Sequence, residues 1–158
     1  MIEKILVPMD GSRQSLKALT YAIDAAKCFS ASIVLLRVVT LSMLEMAWNS
    51  PSSGGPIIKQ DFLKQADRQD KKTMTHVRKY LRDKVKIVSD NDIAGSFRVM
   101  VGDPADSIKQ CCKEEKIDLV VMNANNKGWL KRAIMGSVTD EVIRTSTVPV
   151  LVLRPKRK

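Results

Sequence analysis

Two apolar spacings alternate along the chain, and each change of spacing marks a new element. Ile5-Leu6-Val7 is an unbroken apolar run of strand length that stops at Pro8-Met9-Asp10-Gly11-Ser12. Pro and Gly punctuate that turn, and Ser12 is a good N-cap for a following helix. Leu16, Leu19, Ile23 and Ala26 then recur at three- and four-residue intervals, which predicts an amphipathic helix. Residues 31–39 are rich in branched apolar side chains, as a strand buried on both faces requires. After a Ser/Gly/Pro-rich stretch, Leu63, Ala66, Met74, Val77, Leu81 and Val85 mark a long amphipathic helix with a charged outer face. Phe97–Val101 reads as a third strand. Asp103-Pro104 is a strong helix start, since Asp caps free backbone donors and Pro suits the first helical position. Ile117–Met122 predicts a fourth strand, Ser137-Val138-Thr139-Asp140 opens a short helix, and Val148–Leu153 is a fifth strand.

Strands alternating with helices pair in parallel, with right-handed crossovers covering both faces of the sheet. The expected class is a doubly wound α/β fold, and with no internal repeat residues 1–158 are read as one domain. Residues 41–56, which include Trp48, are expected to form a flexible loop able to close over a ligand, and 155–158 a basic tail. Ligands of such sheets bind beyond the carboxyl ends of the strands, where the strand order reverses. Here those ends carry Pro8-Met9-Asp10, Val38-Val39, Gly102-Asp103 and Met122 onward.

Composition narrows the setting. The longest apolar runs are far too short to span a bilayer, and the N-terminus has no secretory pattern, so the cytoplasm is the expected compartment and no membrane is expected as a partner. Three cysteines, with Cys111 and Cys112 adjacent and Cys28 in an apolar helical pattern, read as reduced packed thiols. They offer no zinc spacing, and His76 is the single histidine. The net charge of +10 favours anions in general. Aromatic residues make up only 4% of the chain, too few to interleave with the cations as base stacking requires, so nucleic acid is not an expected partner.

Several segments share one likeness. Lys4-Ile5-Leu6-Val7-Pro8-Met9-Asp10-Gly11-Ser12, Val101-Gly102-Asp103-Pro104-Ala105-Asp106-Ser107-Ile108 and Leu130–Thr139 followed by Val148–Arg154 resemble, in order, segments of the universal stress protein family. The resemblance covers nearly the whole chain. It implies a five-stranded sheet of order 3-2-1-4-5, Rossmann-like in the manner of adenine nucleotide alpha hydrolases. It also implies ATP or another adenine nucleotide as ligand, with Mg²⁺ a further candidate, and a homodimer paired through the last strand, 148–153. That strand is apolar on both alternating faces, which by itself invites pairing at a sheet edge.

Nucleotide-binding members of the family carry a glycine, two residues, a second glycine, nine residues, then Gly-Ser or Gly-Thr. Counted back from Gly136-Ser137, the first two positions here are Asn123 and Asn126. Asn tolerates a left-handed backbone better than other non-glycine residues, so the loop can keep its shape while its side chains need a place. Gly136 and the amides of Ser137, Val138 and Thr139 stand at a helix start, where free N–H groups favour an anion. The plainer reading is that Ser137 caps its own helix with Asp140. By the same resemblance Asp10 sits beside the adenine, Pro8 and Met9 form the adjoining wall, the Val38 backbone meets the adenine edge, and Met122 packs near the ring or ribose. The plainer readings are a turn and cap for Asp10 and core packing for Met122.

There is no Gly-x-x-x-x-Gly-Lys-Ser/Thr loop, no Gly-x-Gly-x-x-Gly fingerprint and no assembled nucleophile, so no catalytic residue is assigned and any ATP hydrolysis would be slow and incidental. The expected function is a stress-response sensor or regulator that holds an adenine nucleotide and acts through an unidentified protein partner. The rivals are a dimeric interaction module of the same family that binds no nucleotide, and a weak nucleic-acid or anionic-surface binder using the +10 charge.

Overall fold

The computed structural model describes residues 1–40, 59–124 and 137–154, with side chains in the second stretch described from residue 71. The expected loop 41–56 with Trp48, the positions Asn126 and Gly136, and the tail 155–158 lie outside the described residues. In chain order the elements are β1 (Lys4–Pro8), α1 (Arg13–Phe29), β2 (Ser32–Val39), α2 (Lys59–Ser89), β3 (Gly95–Val101), α3 (Pro104–Glu114), β4 (Leu119–Asn123), α4 (Ser137–Thr145) and β5 (Val150–Leu153). The strands form one sheet in the order β3-β2-β1-β4-β5, and every pairing is parallel.

β1 lies at the centre because it is apolar on both faces. Ile5 and Val7 pack under α1 and α2 with Leu19, Ile23, Leu81 and Val88, while Leu6 packs on the other face with Ile108, Cys111, Val120 and Val142 of α3, β4 and α4. Truncating a fully buried aliphatic such as Leu81 to Ala typically costs about 2–5 kcal/mol. Cys111 and Cys112 are buried as expected, and desolvation pushes their thiols up to about 12 and about 11. Cys28 departs from expectation: it is exposed, because the inward stripe of α1 runs through Ala18, Leu19, Ala22, Ile23 and Ala26.

Local signals set the boundaries. Ser12 caps α1 by accepting from Ser15 N at 3.1 Å, and Asp103 caps α3 by accepting from Ala105 N and Asp106 N at 2.9 and 3.1 Å. At the opposite end of the sheet, Asp118 accepts the backbone N–H groups of Glu3 and Lys4, both at 2.9 Å, and this holds its carboxyl below the usual range.

Candidate functional site at the carboxyl ends of the strands

The strand order reverses beside β1, and a cavity of about 510 Å³ opens there. Its first wall is the turn after β1: Pro8, Met9 and Asp10 all line it. That turn depends on Gly11, whose φ of 83° suits glycine, and on Asp10, which accepts from Ser12 N at 2.9 Å. Met9 N donates to Leu36 O at 2.7 Å, which continues the β1–β2 ladder up to the rim. β2 contributes Leu36, Arg37, Val38 and, just past its end, Thr40. Arg37 Nη1 donates to Met9 O at 3.0 Å and so braces the first wall from the second.

β4 supplies Met122 and Asn123, and the start of α4 supplies Ser137, Val138 and Thr139. Thr139 is buried, and its hydroxyl donates to Asn123 O at 3.2 Å, tying the helix start to the strand end. Ser137 is the first residue of α4, so the amides there point out of a helix N-terminus. Pro104 and Ile108 of α3 close the floor.

All nine expected residues that are described, from Pro8 to Thr139, therefore line one cavity. Sequence reading missed Leu36, Arg37, Thr40, Pro104 and Ile108. The signal for Arg37 was a charged residue near the carboxyl end of an otherwise apolar strand. Leu36 and Ile108 gave none, because an apolar cavity floor and an apolar core read alike.

The electrostatics are mixed. Burial alone would raise the pKa of Asp10, but hydrogen bonds from Ser12 and Ser15 and the charge of Arg37 outweigh it and hold the carboxyl below its usual value. Asn123 is 8% exposed, and its Nδ2 has no hydrogen-bond partner among the described residues. An unmatched buried donor costs about 1–3 kcal/mol. Near α3, the carboxylates of Asp103, Asp106 and Glu141 approach one another within 4.8 Å. Asp103 is already engaged as a cap and Asp106 pairs with Lys109 at 2.6 Å, so both have partners without a metal ion.

A parallel sheet of this order, with a crevice walled by a turn, a strand edge and a helix N-terminus, defines a Rossmann-like α/β protein. The chain belongs to the universal stress protein family, whose model matches residues 1–154. It is 31% identical over 158 residues to universal stress protein MJ0531 of Methanocaldococcus jannaschii, covering 100% of this chain and 85% of that protein. Among solved structures it is similar to protein MJ0577 of the same organism, with a TM-score of 0.79, 23% identity and coverage of 100% and 99% of the two chains. A universal stress protein in complex with cAMP has a TM-score of 0.62, 21% identity and 98% coverage of both chains. The universal stress protein of Archaeoglobus fulgidus in complex with dAMP has a TM-score of 0.58, 17% identity and coverage of 96% and 97%. Among the described residues, no helix is long and apolar enough to cross a membrane.

Proposed function

We propose that the chain binds an adenine nucleotide in this cavity and works as a stress-response sensor or regulator, with a protein partner reading the bound state. The observation that carries this reading is the convergence of Pro8, Met9, Asp10, Val38, Met122, Asn123, Ser137, Val138 and Thr139 on one cavity of about 510 Å³. That volume lies within the range of small-molecule sites, and the mostly apolar floor suits a planar base. The amides at the start of α4 suit phosphate oxygens, as unpaired N–H groups at a helix N-terminus do in general. Nucleotide complexes of two structural neighbours, with cAMP and dAMP, support the ligand class.

One observation favours a second reading, the interaction module without nucleotide. Asn123 puts a buried carboxamide where nucleotide-binding relatives have a glycine, and that side chain occupies cavity wall. Calorimetric titration with ATP, AMP and cAMP separates the two. Binding at or below millimolar nucleotide is expected, with the Asn123→Gly/Asn126→Gly variant within tenfold of the parent, or about 1.4 kcal/mol. A parent that binds nothing, beside a double variant that binds ATP, would make the interaction module the better account.

A further inference from the structure

The basic residues of α2 gather on one exposed arc of the helix. At 3.6 residues per turn, Lys72, Arg78, Lys79, Arg82 and Lys86 fall within about 120° of one another and span about 21 Å of axis. All five are exposed, and none is ion-paired among the described residues. Lys71 lies on the same arc, and Asp83 at its margin is the one acidic residue between 71 and 89. The arc carrying Val77, Leu81, Val85 and Val88 is packed against the sheet. The result is a straight, narrow row of exposed cationic side chains along one helix.

We propose that this row docks along the phosphate backbone of double-stranded nucleic acid, a binding activity separate from the strand-end cavity. Charge complementarity carries the assignment: a duplex bears one negative charge per about 1.7 Å of axis, so a stretch as long as the row offers more phosphates than the row has cations. The geometry disfavours the competing anions. A bilayer-seeking helix needs an apolar face to insert, and that face of α2 is consumed by the core. Single strands are gripped by stacking bases on aromatic rings, whereas the aromatic residue within this stretch, Tyr80, is half-buried beneath Lys84, whose Nζ lies 5.3 Å from the ring centroid. The shortage of aromatics that argued against nucleic acid thus argues against base stacking and leaves phosphate contact, which needs none. Contacts to backbone phosphates carry no sequence information, so binding by the row alone is expected to be sequence-independent.

The test is fluorescence anisotropy of a labelled mixed-sequence 20-base-pair DNA duplex with the full-length protein from 50 to 200 mM salt. With four to five phosphates neutralised, the logarithm of affinity should fall against the logarithm of salt with a slope of about −4, a loss of a hundredfold or more across that range. Lys79→Glu/Arg82→Glu should weaken binding tenfold or more and flatten the slope by about two. Lys113→Glu/Lys116→Glu, which carries the same charge change on the opposite face, should retain most of the affinity. These positions are exposed, and circular dichroism with thermal melts confirms that each variant folds. Absence of duplex binding at 50 mM salt, equal losses in the two variants, or tighter binding to phosphatidylserine/phosphatidylcholine vesicles than to the duplex would each overturn the proposal.

Discussion

Asp10 shows how one side chain can serve a turn and a cavity together. Its carboxylate accepts from Ser12 N within the turn and lines the cavity beside Arg37. Because its pKa is depressed in the folded state, its contribution to stability is present above the unfolded value of about 3.9 and is lost as pH falls through the folded value. Asp10→Asn should therefore be less stable than the parent at pH 6, with the gap closing as pH falls below the unfolded value and through the depressed folded one. Urea midpoints across that range check it, and a gap independent of pH would remove the carboxylate from the account. Asn123 lies across the cavity and differs in kind, since it is neutral and its donor is unmatched among the described residues. A ligand oxygen able to meet that amide after a turn of the side chain would relieve the mismatch.

Among the elements, the contact of α2 with β3 depends on a missing side chain. A Cβ built on Gly95 would stand 3.0 and 3.2 Å from Val88 side-chain atoms and 3.3 Å from Val85 Cγ1. Val88 is fully buried and has little room to move, so Gly95→Ala should destabilise the protein by about 1–3 kcal/mol, read as a lower urea midpoint. An unchanged midpoint would mean that α2 shifts outward freely. The elements themselves were legible in the sequence, because strand-length apolar runs and three- to four-residue spacing differ plainly. Their ends were less so. β3 begins at Gly95 rather than Phe97 and β5 at Val150 rather than Val148, because pairing with a neighbouring strand, which a single chain does not display, decides where a strand starts and stops. The cavity was legible where turns and helix starts have their own residue chemistry, as at Asp10, Ser137 and Thr139. It was illegible at Leu36 and Ile108, whose role depends on which strands lie side by side.

At the scale of the whole molecule, β5 lies at one edge of the sheet with Leu151 42% exposed. The proposed homodimer through residues 148–153 would cover that edge. Leu151→Glu should convert a dimer to a monomer in light scattering at micromolar concentration while leaving the melting temperature of the protomer near the parent's. A parent that is already monomeric would refute the dimer. The central place of β1 has a different consequence, for the order in which the molecule is made. β1 pairs with β2 on one side and with β4, at Leu119 and Val120, on the other. The segment through β3 can close the first pairing while it emerges from the ribosome, but the second edge of β1 and the Leu6 side of the sheet stay bare until β4 has been synthesised. Until then the nascent chain presents an unpaired apolar strand edge to its surroundings.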